Sequence, residues 1–259
     1  MNQDERRIYL IKYLLKENQK YSYIVIPSDV SEQKKLLRSI MNVRNPEQIS
    51  EEFLAIQDEY LQEEIAEKGI TDYKFLTPLQ KGIYLWKGDI TTLKIDGIVN
   101  AANSGMTGCY FPCHGCIDNA IHTSSGIQLR LECDRLIEEQ GYKEPTGKAK
   151  ITKAYNLPAN FVIHTVGPIV KGSLTKNDEI ILESCYRSCL ELADKKGLKS
   201  IAFCCISTGE FHFPNERAAE IAYKTVKEYK DELNSRIEVV FNVFKERDYQ
   251  IYKKLLSTD

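Results

Sequence analysis

Hydrophobic and polar residues follow two different periods along this chain, and the change falls near residue 80. Before it, apolar residues recur at steps of three and four, which is the period of an α-helix. The buried face of a short first helix is predicted to contain Tyr9, Ile11, Leu14 and Leu15. A clearer helix is predicted between Asn45 and Gly69 from Ile49, Phe53, Ile56, Tyr60 and Ile65. We expect Asn45-Pro46 to mark its start and Gly69 its end.

From Ile83 onwards, short β-rich runs alternate with longer helical ones. The predicted strands are IYLWKGDI, DGIVNAAN, AKITKAY, FVIHTVG, SIAFCCIS and IEVVFNVF. The amphipathic stretches between and after them lie around residues 117–140, 178–196, 215–234 and 248–256. Strands that are apolar on both faces and separated by helices predict an α/β protein with a mostly parallel sheet covered on both sides. Ligands bind such sheets outside the carboxyl ends of the strands, which places the loops after VNAAN and FCCIS at the site.

Composition and charge narrow the classes of function. The 259 residues suffice for one large domain or for one domain with an appendage. A formal net charge of −2 argues against a general nucleic-acid binder, which needs a basic surface. The longest apolar runs are too short to span a membrane, and Lys12 and Lys16 interrupt the N-terminal segment where a signal peptide would be apolar. We therefore expect a cytoplasmic protein.

The cysteines are unevenly distributed. Of eight in the chain, three lie with His114 between residues 109 and 116. Thiolates and an imidazole so close together suit Zn²⁺. Cys109, His114 and Cys116 would leave one coordination position open, as in a catalytic site, whereas a fourth bond from Cys113 would close the site and make it structural. Adjacent residues such as Cys113 and His114 rarely reach the same ion, which favours the open site. The alternative is a group of reduced thiols beside a surface histidine, and the other five cysteines are expected to be small core residues.

Asp118 and His122 follow this cluster at the start of a predicted helix. Their spacing of four residues places them on one helix face. The helix dipole favours the ionised form of Asp118, which could then orient or deprotonate a water molecule. A capping role for Asp118 is the alternative.

Two further segments lie at predicted strand ends. Gly88-Asp89 offers a carboxylate that can accept a hydrogen bond from an exocyclic amine or a helix start, although the residues alone favour a turn with an Asx cap. The loop over residues 206–214 lies between a buried strand and a helix, where backbone N–H groups and the helix dipole can bind phosphate. Gly209 would allow a ligand to approach the backbone closely. Many strand-to-helix loops share this composition, so the loop alone is a weak signal.

Taken together, four motifs resemble those of the macrodomain family, whose members bind ADP-ribose. They are GDIT (88–91), IVNAANS (98–104), IHTVGP (163–168) and STGEFHFP (207–214), in that order. The run GCYFPCHGCIDNAIH (108–122) resembles the zinc-dependent subclass of bacterial macrodomains, which also carries a helical N-terminal extension. The resemblance implies a three-layer α/β/α sandwich with a mixed, mostly parallel sheet. It implies a helical extension over residues 1–72 and a macrodomain over residues 73–259.

The resemblance also implies an activity. The family hydrolyses protein-linked mono-ADP-ribose, and the subclass implies Zn²⁺ as cofactor. We expect Asp/Glu-linked ADP-ribose, with a lipoylated glycine-cleavage H-like carrier modified by a sirtuin-type ADP-ribosyltransferase as one substrate. We expect a monomer whose partners are ADP-ribose and mono-ADP-ribosylated protein, with neither nucleic acid nor membrane. A reader that binds ADP-ribosylated protein without cleaving it is the alternative function.

Site residues are implied by position in the same motifs. Asp89, with the Ile90 backbone beside it, would recognise the adenine amine, and Phe244 would stack on the adenine. Asn103 would hold the distal ribose. The diphosphate would be wrapped by Ser207, Thr208, Gly209, Glu210 and Phe211. The zinc ligands would be Cys109, His114 and Cys116, and the catalytic residues Asp118, Asn103 and His122.

Overall fold

The structure is a computed structural model that describes residues 1–21 and 23–257. One residue of the predicted 1–72 extension and the last two of the predicted 73–259 macrodomain lie outside that description. The chain begins with three helices: α1 (Gln3–Glu17), α2 (Val30–Val43) and α3 (Glu51–Lys68). Each starts after a residue whose side chain accepts a hydrogen bond from the first turn, and these caps are Asn2, Asp29 and Ser50.

Of the two predicted ends of α3, one is wrong and one is confirmed. The predicted start of α3 at Asn45-Pro46 is wrong, because the Ser50 side chain caps the helix instead, accepting from the Phe53 N–H at 3.2 Å. The predicted end at Gly69 is confirmed, and its φ of 86° explains why glycine stands there. Helix α2 had no separate prediction. These helices bury a small apolar core, to which Ile127 from further along the chain also contributes. It consists of Leu10, Ile11, Leu14, Leu15, Leu37, Ile40, Met41, Phe53, Tyr60, Leu61 and Ile127.

Eight strands follow, and they include all six that the sequence predicts. They are β1 (Thr71–Asp72), β2 (Ile83–Lys87), β3 (Leu93–Lys94), β4 (Gly97–Ala101), β5 (Ala149–Lys153), β6 (Phe161–Thr165), β7 (Ser200–Phe203) and β8 (Glu238–Val243). Strands β1 and β3 form a small parallel pair. The main sheet has the order β2-β8-β7-β4-β6-β5, and only β5 runs antiparallel to its neighbour.

Residues 117–256 contain five helices: α4 (Ile117–Ser125), α5 (Ile127–Gln140), α6 (Lys176–Lys195), α7 (Asn215–Leu233) and α8 (Glu246–Leu256). Helices α4, α5, α6 and α8 pack against the main sheet, and α7 packs against α6 and α8. The predicted amphipathic stretch 117–140 is two helices, because Gly126 adopts a φ of 95° between them. A β-carbon there would lie 2.6 Å from the Gln57 side chain, so α3 approaches the chain at that break. No helix within residues 1–21 and 23–257 is long and apolar enough to cross a membrane.

The connections place one crevice at the centre of the sheet. From β4 the chain passes to β5 and β6 on one side, then returns through α6 to β7 on the other side of β4. Ligands of open α/β sheets bind at such a switch point, outside the carboxyl ends of the strands. The segments after β4 and β7 therefore border the candidate site.

Candidate functional site

Four segments that leave the sheet at the carboxyl ends of its strands surround this crevice. Asp89 follows β2, Asn103 follows β4, the loop 204–214 follows β7 and Phe244 follows β8. The β2–β8 register pairs Lys87 with Val243, so Phe244 stands beside Gly88-Asp89. The Phe244 residue is 76% exposed, which leaves its ring free to contact a ligand.

Asp89 has two roles that the structure shows directly. One carboxylate oxygen accepts from the Thr91 N–H at 3.0 Å and from the Thr91 hydroxyl at 2.7 Å, which is the Asx cap left open by the sequence. The other oxygen lies 3.4 Å from the Lys68 ammonium of α3, an ion pair with the N-terminal helices. Ile90, the next residue, is buried. Adenine recognition by Asp89 and Ile90 stays a prediction.

The loop that follows β7 is folded for anion binding. Ser207 and His212 adopt positive φ values of 63° and 57°, and the Phe213 N–H donates back to the Ser207 carbonyl at 2.9 Å. Across residues 1–21 and 23–257, the N–H groups of Gly209, Glu210 and Phe211 find no acceptor in the protein. Such free, clustered amides form a concave site for a phosphate.

Gly167 permits the close approach of this loop to the end of β6. A β-carbon at Gly167 would lie 2.0 Å from the Ser207 hydroxyl oxygen. The two motifs IHTVGP and STGEFHFP therefore meet in space, although Gly167 and Ser207 are 40 positions apart in the sequence.

Asp118 stands in the first turn of α4 and is only 5% exposed. Its two oxygens accept hydrogen bonds from the Asn100 amide at 2.8 Å and the Asn103 amide at 3.2 Å. Burial raises the pKa of Asp118 to about 6, and the hydrogen bond from Asn100 acts in the opposite direction. The structure brings the predicted pair Asn103 and Asp118 into direct contact.

A chain of buried polar groups continues behind Asp118. The amide of Asn100 also reaches the His164 Nδ1 at 3.2 Å, and the His164 Nε2 lies 2.9 Å from the Thr152 hydroxyl. The β4–β6 register pairs Asn100 with His164, which fixes this contact. Burial lowers the pKa of His164 to about 3, so the ring is neutral. Sequence reasoning missed all three residues, although polar side chains inside apolar strand runs were a visible signal.

His122 lies at the Asp118 oxygen that also accepts from Asn100. Its Nε2 is 3.5 Å from the nearer Asp118 oxygen, and the ring is buried beneath Gly108. Burial lowers the pKa of His122, and the nearby His164 acts in the same direction. The predicted pairing of Asp118 and His122 on one helix face is therefore present, with both groups inside the protein.

Cys109, His114 and Cys116 gather within the segment 109–116, which we call the cysteine loop. Their donor atoms all lie within 4.8 Å of one another, and the Cys109 Sγ is 3.6 Å from the His114 Nδ1. Zinc bonds of about 2.3 Å to sulfur and about 2.0 Å to nitrogen at tetrahedral angles separate such donors by about 3.5 Å. The three residues therefore fit Zn²⁺. Burial raises the pKa of the Cys116 thiol to about 12, so a thiolate there needs a bound cation.

Cys113 points away from this group. Its side chain is exposed and lies 3.2 Å from the Ser39 hydroxyl and 3.4 Å from the Lys35 carbonyl, both on α2. A closed site with Cys113 as fourth ligand is therefore disfavoured. Of the remaining cysteines, four are buried and Cys205 is half-buried, which confirms that they are small core residues.

Comparison with known proteins identifies relatives over nearly the whole length. The Macro domain family matches residues 99–222. A protein named Protein-ADP-ribose hydrolase from Treponema medium is 58% identical, and the match covers 99% of this chain and 100% of that protein. Another of the same name from Staphylococcus aureus (strain MRSA252) is 49% identical, covering 97% of this chain and 95% of that protein.

Solved structures resemble this fold as well. The Oceanobacillus iheyensis macrodomain with ADP is 37% identical with a TM-score of 0.63, covering 70% of this chain and 94% of that one. The Trypanosoma brucei macrodomain in complex with ADP-ribose is 30% identical with a TM-score of 0.65, covering 84% of this chain and 94% of that one. The α/β fold predicted from the motifs is thus confirmed.

Proposed function

Since the chain belongs to the macrodomain family, we propose that it is a hydrolase that releases ADP-ribose from mono-ADP-ribosylated proteins. The observation that carries this proposal is Asp118, a buried carboxylate held by the amides of Asn100 and Asn103. A carboxylate whose pKa is raised toward neutrality is suited to proton transfer, and a pure binding module has no need of one. The names of the relatives from Treponema medium and Staphylococcus aureus support the same reaction class.

The rest of the crevice would bind the nucleotide. The free amides of Gly209, Glu210 and Phe211 would hold the diphosphate, and Phe244 and Asp89 would receive the adenine. Asn103 would hold the distal ribose next to Asp118. Binding energy from these groups, remote from the bond that breaks, would fix the substrate in a reactive position.

Asp118 would orient the attacking water and accept its proton. The His122 Nε2 lies 3.5 Å from the Asp118 oxygen that also accepts from Asn100, so His122 and the Asn100–His164 pair, which are neutral, would position the carboxylate. We therefore assign His122 a positioning role within the proposed site.

Cys109, His114 and Cys116 would hold the Zn²⁺ ion. When bound, the metal would supply Lewis-acid activation of an oxygen at its open coordination position. The outward direction of Cys113 supports three protein ligands, the number typical of catalytic zinc sites. His114 also lies 3.7 Å from the Glu210 carboxylate through its second ring nitrogen, and carboxylates commonly orient metal-binding histidines.

We propose Asp/Glu-linked ADP-ribose as the substrate linkage. The test measures ADP-ribose release from such a modified protein by the zinc-loaded wild type, by a chelated sample and by Cys116→Ala. Cys113→Ala is the matched control, because it removes a thiol of the same loop that faces away from the group. We expect release by the wild type and Cys113→Ala, and loss of release in the other two samples.

Each alternative has its own outcome. ADP-ribose binding without any release would identify a reader module. Release that survives both chelation and Cys116→Ala would remove zinc from the proposal and leave the hydrolase. A parallel assay on a lipoylated glycine-cleavage H-like carrier, modified by a sirtuin-type ADP-ribosyltransferase, would test that substrate, which we propose from the resemblance of residues 108–122 to the zinc-dependent subclass.

A further inference from the structure

We propose that helix α2 of the N-terminal extension holds the cysteine loop in its ligand-binding conformation, with Arg38 and Asn42 as positioning residues. This inference rests on the metal site of the proposed function and assigns a role to a segment without a chemical motif of its own. The loop lies in a stretch, residues 102–116, that contains no helix or strand. Its shape must therefore come from contacts made to it.

Arg38 contacts the loop directly at His114 and indirectly, through Asn119, at Phe111. Its guanidinium donates to the His114 carbonyl at 2.9 Å, and through two nitrogens to the Asn119 side-chain oxygen at 3.1 and 2.7 Å. The Asn119 amide in turn donates to the Phe111 carbonyl at 3.0 Å. One planar fork thus ties the backbone of a ligand residue to the first turn of α4, a geometry that lysine cannot reproduce.

Asn42 fixes the residue just before His114. Its side chain is buried, with the whole residue 2% exposed, and its oxygen accepts from the Cys113 N–H at 2.9 Å. The amide of Asn42 donates to the Thr123 hydroxyl at 2.9 Å, which anchors it to α4. Cys113 adopts a positive φ of 52°, a conformation that non-glycine residues keep only when surrounding contacts enforce it. The Asn42 contact is such a restraint, and it sets the direction in which the chain enters His114.

Arg130 of α5 completes the arrangement. Its guanidinium donates to the carbonyls of Met41, Asn42 and Arg44 at the end of α2. The same group lies 4.2 Å from the centre of the Tyr110 ring in the cysteine loop. Helix α2 is therefore fixed both to the main domain and to the loop, so displacing it would release the loop at Cys113 and His114 together, while Arg130 would keep its contact with Tyr110.

The matched test compares Arg38→Lys with Arg6→Lys. Arg6 belongs to the same extension but pairs with Glu59 and Glu63 on α3, away from the loop. Zinc affinity is measured by competition with a colorimetric chelator, and ADP-ribose binding to the metal-free protein by calorimetry. We expect Arg38→Lys to weaken zinc binding by about 10- to 100-fold, as for other residues that orient metal ligands. Arg6→Lys should leave it unchanged, and both variants should bind ADP-ribose as the wild type does.

A second readout needs no metal. Hydrogen exchange of the backbone amides of residues 109–116 in the metal-free protein should accelerate in Arg38→Lys and in Asn42→Ala, and not in Arg6→Lys. If Asn42→Ala does not fold, Arg38→Lys carries the test alone. Equal zinc affinity and equal exchange in Arg38→Lys and Arg6→Lys would overturn the proposal. A wild type that binds no zinc would refute the proposed metal site, whereas faster exchange in Arg38→Lys would still support the hold of α2 on the loop.

Discussion

The two ends of the crevice present different kinds of chemical group. At the end formed by residues 207–211 and Phe244, the structure presents backbone amides and an aromatic ring that is 76% exposed. At the other end it presents Asp118, which is 5% exposed and bonded to two buried or half-buried asparagines. In the proposed site, the first end would bind the nucleotide through backbone amides and one exposed aromatic side chain, whereas the second would depend on particular side chains that are buried away from water. A substitution should therefore cost far more at the second end.

This difference has a physical origin. Amides in a loop can bind phosphate with little dependence on the side chains that they carry. A carboxylate whose pKa is raised by burial is a stronger proton acceptor near neutral pH, and its burial costs less free energy when each of its oxygens keeps a hydrogen-bond donor. Asn100 and Asn103 supply those donors.

Asp118→Asn should give the largest effect. Since the amide keeps the size of the side chain but cannot accept a proton, we expect turnover to fall by about 10²- to 10⁴-fold. ADP-ribose affinity, measured by calorimetry, should stay unchanged because the diphosphate amides are remote. Full turnover in this variant would break the comparison by showing that the buried end is dispensable.

The next effect concerns the buried histidine behind Asp118. The pKa of His164 is about 3 in the folded protein, and that of an unfolded histidine is about 6.5. The unfolded state therefore binds a proton first as the pH falls, and stability is lost below pH 6.5. Between pH 7 and pH 5, His164 should account for about 2 kcal/mol of the decrease in the free energy of unfolding.

Urea unfolding of chelated wild type and His164→Gln at both pH values measures this contribution. At pH 7 the variant should have a lower free energy of unfolding than the wild type, because the substitution disturbs the contacts with Asn100 and Thr152. Between pH 7 and pH 5, however, its free energy of unfolding should fall by less than that of the wild type. If the free energy of unfolding falls equally in the wild type and in His164→Gln, His164 takes up a proton in the folded state.

Gly167→Ala should produce an intermediate effect at the exposed end. The new methyl group would lie 2.0 Å from the Ser207 hydroxyl oxygen and would displace the 207–211 loop. We expect the Kd for ADP-ribose to rise about tenfold, since overpacking costs at least about 1 kcal/mol. The double variant Gly167→Ala/Ser207→Gly removes the closest collision, leaves the Ile206 Cγ2 at 2.9 Å, and suits the positive φ at residue 207, so it should recover part of the affinity. An unchanged Kd in Gly167→Ala would show that the loop adapts freely.

Phe244→Ala should have the smallest effect. Loss of one stacking surface costs about 1 kcal/mol, which corresponds to about a fivefold rise in the Kd for ADP-ribose. Phe244→Tyr keeps the ring and should bind as the wild type does. If both variants match the wild type, Phe244 does not contact the adenine and the exposed end is smaller than we infer.

Much of the fold could be predicted because its signals are local. The six main strands are short apolar runs, and the helices between them follow the helical period. The buried face of each element is therefore visible in its own segment of the sequence. The predictions that were wrong concern where a helix begins and where a helical stretch is interrupted. The start of α3 depended on Ser50 rather than Asn45-Pro46, and Gly126 divided one predicted helical stretch into α4 and α5.

The sequence by itself determined the motifs, the identity of the Cys109, His114 and Cys116 group, and the pairing of Asp118 with His122, because these residues are near neighbours along the chain. Only the tertiary structure decided which groups surround them. Arg38 meets Asn119 across 81 positions and Asn100 meets His164 across 64, and no periodicity encodes such contacts. The direction of Cys113 follows from its contacts with Lys35, Ser39 and Asn42. The raised pKa of Asp118 follows from its burial, against which the hydrogen bonds from Asn100 and Asn103 act. Neither property exists before the chain folds and excludes water from these groups.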